Sequence, residues 1–358
     1  MNETAETATL QEATVEEPAG GRRLARLVTM LLPLMGLTLV IVPFSIFAEN
    51  FRSLLNFKTV VIQTAAIAIA GTGMTFIIIS GGIDLSVGSV LALVTVATAL
   101  SLKLGAPAWL AALCGIGVGG LCGFLNGAMI TVLRVVPFIA TLGMWSAARG
   151  VAKWLAQEQT VYPPDSWLNS LMLRSPKPEW LALEPSWFRA VSPAIRGPIE
   201  QIALSPGLWI MIVTVIVMTL LLRYTTFGRY TIATGSNEAT ARLCGVRVNL
   251  AKLKIYTLSG LLTGVAGLLL FSRLGVGDPT GATGQELDVI AAVVIGGGSL
   301  SGGEGSILGT LIGALAMAFM HNGGELLGWG NYIQEILIGI FIVLFVAIDQ
   351  LRRARSTS

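Results

Sequence analysis

The chain has 358 residues, of which 54% are apolar and only 12% charged, with a net charge of +3 and a mean hydropathy of +0.76. Soluble domains carry roughly 25% charged residues, so this composition excludes a water-soluble globular fold and indicates a polytopic membrane protein. At roughly 20 residues per span one helical bundle with modest loops uses up the length, no second globular domain fits, and so small a net charge gives no basis for a nucleic-acid partner.

Residues 1–21 carry five glutamates and end in Pro-Ala-Gly-Gly, a composition unable to bury a core, and are expected to form a disordered tail. Arg22, Arg23 and Arg26 precede an apolar stretch that is too long for a signal-peptide core and lacks an A-x-A site, so the first span is read as uncleaved. Hydropathy places spans near 27–47, 59–80, 86–103, 108–132, 137–155, 207–223, 255–273, 287–299, 305–320 and 334–351. The segment 287–299 is too short to cross about 30 Å of hydrocarbon and reads as a re-entrant half-helix.

Between the second and third spans, residues 71–94 read GTGMTFIIISGGIDLSVGSVLALV. Lipid offers no water to an ionised carboxylate, so Asp84 must face protein or a wet cavity. Asn126 in the fourth span has two readings, a hydrogen bond to a neighbouring helix or one to a polar cargo, and the first is preferred. Arg149 and Lys153, one helical turn apart in the fifth span, either gate or reach outward to the interface, and outward reach is preferred. The loop 160–206 holds eight of the fourteen prolines together with Trp167, Trp180 and Trp187. That density forbids long regular elements and leaves open a docking surface or a passive cover at the interface. Cys114, Cys122 and Cys244 have no metal or redox spacing, and His321, the only histidine, reads as structural.

The distribution of basic residues checks the span count, because one misassigned span inverts every later loop. Starting inside, ten spans gather Arg22, Arg23, Arg26, Arg134, Arg223, Arg229, Arg242, Arg247, Lys252, Lys254, Arg352, Arg353 and Arg355 on one side. Short loops of the other side hold only Arg52, Lys58, Lys103 and Arg273. Both termini are therefore expected in the cytoplasm, the C-terminal tail being 353–358.

Residues 77–91, IIISGGIDLSVGSVL, match 292–308, AVVIGGGSLSGGEGSIL, with two residues inserted in the second copy. Gly81, Gly82, Leu85 and Ser86 align with Gly296, Gly297, Leu300 and Ser301. Paired glycine-interrupted segments are a pointer to a transporter's centre, where broken helices present backbone dipoles. Small-residue stretches also recur wherever membrane helices pack closely, and the repeat is the preferred reading. The expected fold is an all-α polytopic membrane protein of about ten spans, with re-entrant or broken helices and two structurally related halves.

The most cationic region is the loop 224–254, which contains TTFGRYTIATGSNEATARLCGVRV. Ser236 or Asn237 can cap a short helix with Glu238 in its first turn, running to a stop at Gly245. Such a helix suits a membrane surface or a partner's groove.

GGIDLSVGS at 81–89, PFIATLG at 137–143, FGRYTIATGSNEATARLCGV at 227–246 and ELDVIAAVVIGGGSLSGGEGS at 286–306 resemble, in this order, the membrane permeases of ribose-type ATP-binding cassette importers. The resemblance spans roughly residues 27–352 and makes 22–352 one transmembrane permease domain. It implies a homodimer in the bacterial inner membrane, fed by an extracytoplasmic sugar-binding protein and driven by a cytoplasmic ATPase. The implied cargo is a monosaccharide; nucleosides, an autoinducer or branched-chain amino acids are the alternatives within the class, and an autonomous secondary transporter lies outside it. It puts Gly235, Asn237, Glu238, Ala241, Arg242, Leu243 and Gly245 in the element that couples to the ATPase, and Asp84 and Ser86 near the translocation path, where Asn126 is a further candidate. The chain binds no cofactor in this reading, since ATP is used by the partner. LSGGE at 300–304 imitates a cassette ATPase signature, yet no GxxxxGK[ST] phosphate loop exists here, and no catalytic constellation accompanies it.

Overall fold

The computed structural model describes residues 19–172 and 205–356. The remainder of the acidic tail and most of the 160–206 loop, with Trp180 and Trp187, lie outside the described residues. Twelve α-helices account for the described chain: α1 (Ala19–Phe47), α2 (Leu54–Ile79), α3 (Val87–Lys103), α4 (Ala108–Thr131), α5 (Pro137–Leu155), α6 (Pro206–Tyr224), α7 (Thr226–Ser236), α8 (Glu238–Leu243), α9 (Val248–Leu274), α10 (Gln285–Ile295), α11 (Ile307–Leu326) and α12 (Asn331–Ser356). Among the described residues there is no strand, and Val161 pairs with Gly277 in an isolated bridge. Five helices, α2, α4, α6, α9 and α11, are long and apolar enough to cross a membrane, and shorter apolar stretches occupy α1, α3 and α12. The half-helix expected near 287–299 is α10, whose 11 residues extend about 16 Å at 1.5 Å each, half a bilayer.

Helix α2 is apolar on every side and sits at the centre, buried from Thr64 to Ile79 against α6, α9, α10 and α11. A helix without a polar face belongs in a core. Its threonines satisfy themselves locally, Thr75 Oγ1 reaching Gly71 O at 2.7 Å, and Thr75 also meets Thr310 Oγ1 of α11 at 2.7 Å. The most extensive seam joins α4 to α9, where Gly119 and Gly123 face Gly260 and Gly264; a Cβ at Gly119 would stand 2.5 Å from Gly260 O. Between helices in lipid this intimacy of backbones replaces hydrophobic drive. By contrast α4 and α6 turn large side chains such as Leu113, Phe124, Trp209 and Ile216 outward, as lipid-facing helices do.

Both glycine-interrupted segments are breaks between helices. After α2, Gly81 at φ +80° closes the helix, with Gly81 N donating to Ile78 O and Gly82 N to Ile77 O, each at 3.0 Å. After α10, Gly297 at φ +85° does the same, its N donating to Val294 O at 2.9 Å while Gly298 N donates to Val293 O at 2.8 Å. This is the left-handed glycine stop in which two freed carbonyls are recaptured. In these stops Gly81 corresponds to Gly297, one residue away from the pairing read from the sequence, because the glycine that must take positive φ, rather than the first of a pair, sets the register. Helices resume at Val87 and Ile307, leaving a longer connection in the second copy.

Candidate functional site

Three polar residues read from the sequence form one buried chain. Asp84, in the first break, accepts through Oδ1 from Ser86 N at 2.8 Å and from Ser86 Oγ at 2.6 Å. Ser86 Oγ in turn accepts from Asn126 Nδ2 of α4 at 3.0 Å. All three are buried, and hydrogen bonds to the charged form are what make a buried carboxylate tolerable. Asp84 thus faces protein, and the preferred reading of Asn126 agrees with its bond to a neighbouring element. Tyr256 of α9 and Thr141 of α5 close over the same break, each reaching Ile83 O, at 3.5 Å and 3.4 Å. The trio lines neither of the two cavities described below.

The region expected to couple folds as α7 and α8 at one end of the bundle. Asn237 is the cap, accepting from Thr240 N at 2.9 Å, and Gly245 at φ +85° ends the helix, so the start and stop read from the sequence are the observed ones. Ala241 is buried against the bundle while Leu243 is 89% exposed. Glu238 binds Arg242 and Lys252 at 2.6 Å each, and Arg242 also donates to Asn249 at 3.3 Å, which ties α8 to the start of α9. Partial burial favours the neutral acid at Glu238, but the hydrogen bonds from Arg242 and Lys252 outweigh it and hold the carboxyl below its ordinary range.

Gly235, at the end of α7, occupies the point where the two breaks meet. Gly303 N, in the second break, donates to Ile79 O at the end of α2 at 2.8 Å. A Cβ on Gly235 would overlap Ile79 O and come within 2.8 Å of Gly303 N. Three segments distant in sequence therefore converge through backbone alone, with Ser301 exposed beside them.

At the opposite end, a cavity of about 430 Å³ is lined by Gln63, Arg273, Glu286, Asp288, His321 and Gln334, among others. Gln63 and Ile79 lie on one helix 16 residues apart, about 24 Å along its axis, which sets the distance between this cavity and the convergence. His321 lies between Gln334 Oε1, 2.7 Å from Nδ1, and both oxygens of Asp288, each 3.1 Å from Nε2. Glu286 accepts from Trp145 Nε1 at 3.2 Å, while its other oxygen and Gln63 Oε1 have no partner. Sequence reasoning missed this cluster, whose members come from α2, α9, α10, α11 and α12. The available signal was the pair Glu286 and Asp288 in the first turn of a short, otherwise apolar helix.

Arg149 departs from the outward reach expected of it. Its Nη1 donates to Pro279 O at 3.0 Å and Gly281 O at 2.7 Å, because the loop before α10 leaves carbonyls unpaired and a planar guanidinium can take two at once. Lys153 is exposed, as expected. Cys114 and Cys244 are exposed and Cys122 buried, all three free, and no group of three metal-ligating side chains occurs among the described residues.

A family model described as branched-chain amino acid transport system / permease component matches residues 56–346. The ribose import permease protein RbsC of Escherichia coli strain K12 is 38% identical over 316 residues, covering 88% of this chain and 92% of that protein. The fructose import permease protein FrcC of Rhizobium meliloti is 35% identical over 320 residues, covering 89% and 84%. The L-arabinose transport system permease protein AraH of Escherichia coli is 32% identical over 309 residues, covering 86% and 87%. No solved structure matches the chain.

Proposed function

Since the chain belongs to the family of branched-chain amino acid transport system / permease components, we propose that it is the membrane-spanning subunit of an ATP-binding cassette importer and carries a monosaccharide across the bacterial inner membrane. The observation that carries the proposal is similarity to three sugar import permeases across nearly the whole chain. In this reading ten hydrophobic segments, α7 and α8 aside, form two related halves whose centres are the breaks after α2 and α10. Both termini and α8 face the cytoplasm, in keeping with the basic residues gathered there. Two copies assemble, an extracytoplasmic sugar-binding protein delivers cargo, and a cytoplasmic ATPase supplies the work.

The geometry suggests how that work is passed on. A partner that closes on ATP presses the exposed side of α8, where Leu243 projects. The ion pair of Glu238 with Lys252 passes the load to α9, and Gly235 passes it to both breaks at once. Packed segments have discrete arrangements rather than elastic ones, so displacement at this junction re-sets the spans around the path. Sugar hydroxyls donate to carboxylate and amide oxygens, and the cavity with Gln63, Glu286 and Asp288 is the candidate region for receiving the cargo. Bias toward import comes from the difference in affinity between the two states.

Reconstitution of the chain with its cassette ATPase and its sugar-binding protein tests this. Labelled ribose, arabinose, fructose and leucine are offered with and without ATP, and one of the sugars is expected to accumulate only when all three components and ATP are present. Accumulation of leucine alone refutes the sugar assignment, and uptake by the isolated chain refutes the separate motor.

A further inference from the structure

Beside α8 lies a second cavity, of about 500 Å³, between the turn joining α4 to α5 and the start of α9. This volume is within the roughly 300–1,000 Å³ of small-molecule sites. Its charged walls are Arg134, Arg242 and Lys252 against the single carboxylate of Glu238, so it keeps an excess of two positive charges. Arg134 has no hydrogen-bond or ion-pair partner among the described residues, and it sits at φ +58°, a conformation uncommon outside glycine, asparagine and aspartate. On the same turn Val132, Leu133 and Val136 are 74%, 69% and 58% exposed, and Phe138 and Ile139 continue the apolar surface along α5. A cationic cavity thus opens next to an exposed apolar track that runs from the turn onto α5.

We propose that this cavity binds the phosphate headgroup of an anionic phospholipid, whose acyl chains run along the track from Val132 to Ile139. The pairing of charges fits a phosphodiester, and guanidinium suits it in particular because its fork matches two phosphate oxygens. Basic pockets between membrane helices on the cytoplasmic side are a recognised form of headgroup site. The track beside it distinguishes a lipid from a free anion, which has no use for five exposed apolar side chains. Because Arg242 and Lys252 also hold Glu238, the bound headgroup stands against the coupling helix, and membrane composition reaches it there. This assignment is independent of which cargo is carried.

The test places the full chain in nanodiscs of phosphatidylcholine with about one tenth phosphatidylglycerol and reads retained lipid by native mass spectrometry. Arg134→Asn removes the charge and keeps a residue that tolerates positive φ, so the turn is preserved. Arg229→Gln, on α7 and away from the cavity, removes an equal charge as the control. Phosphatidylglycerol should be retained in preference to phosphatidylcholine, with retention about fivefold lower in Arg134→Asn and changed less than twofold in Arg229→Gln. Equal retention of the two lipids, no loss in Arg134→Asn, or an equal loss in both variants would overturn the assignment. So would inorganic phosphate binding at the site while lipids go undiscriminated.

Discussion

Replacing Gly235 with alanine adds one carbon where the end of α7 touches both helix breaks. The atoms it would meet, Ile79 O and Gly303 N, are backbone and cannot swing aside as the tip of a side chain can. Overpacking of this kind costs about 1–3 kcal/mol. Separating the hydrogen bond between those two atoms adds about 0.5–1.5 kcal/mol, and the better helix propensity of alanine returns about 1 kcal/mol. The net is about 0.5–3.5 kcal/mol, concentrated at the junction proposed to pass load from α8. At about 1.4 kcal/mol per factor of ten, ATP-driven uptake into proteoliposomes should fall about 2- to 300-fold. Hydrolysis by the bound ATPase should stay within about twofold, since the proposed contact of the partner is α8 and not Gly235. Gly117→Ala is the control, because nothing lies within 4 Å of a Cβ there. Full uptake by Gly235→Ala, or an equal loss in Gly117→Ala, would refute the convergence as a transmission point.

Leu243→Asp should leave folding unchanged, because the side chain is 89% exposed and such surface changes are usually within about 0.5 kcal/mol. It should reduce co-purification of the ATPase at least tenfold, and intact assembly would remove Leu243 from the partner's footprint. Ser86→Ala takes a donor from the Asp84 carboxylate and the acceptor from Asn126, a loss of about 2–4 kcal/mol; thermal unfolding in detergent should show it, and an unshifted midpoint would count against the trio as a structural tie. For Glu238 the folded carboxyl lies below its ordinary value of 4.5, so its contribution is complete above that value and disappears as pH falls through the lowered one. Hydrogen exchange of α8, corrected for intrinsic rate, should therefore be flat from about pH 8 to about pH 5 and loosen only below about pH 4.5. Loosening near neutrality would exclude the Lys252 and Arg242 pairs as its anchors.

Local chemistry was readable in the chain wherever it is decided within a few residues. Asn237 and Gly245 bound α8 because a side-chain cap and a left-handed stop are satisfied by their own neighbours. The half-helix α10 was legible because a length in residues is a length in ångströms, and the breaks because glycine pairs interrupt apolar runs. The register of those breaks was not, since which glycine takes positive φ depends on the helix it must end.

What the tertiary structure decided was every relation between distant segments. Arg149 turns inward because the loop before α10 offers it carbonyls, and no spacing in the sequence announces that loop. Asp288, His321 and Gln334 become neighbours only when α10, α11 and α12 pack together. The meeting of Gly235 with Ile79 and Gly303 likewise exists only once α7 lies across both breaks. Periodicity and capping act over a turn or two of helix, whereas a cavity or a junction is a sum over packed surfaces, and that sum is formed by the fold.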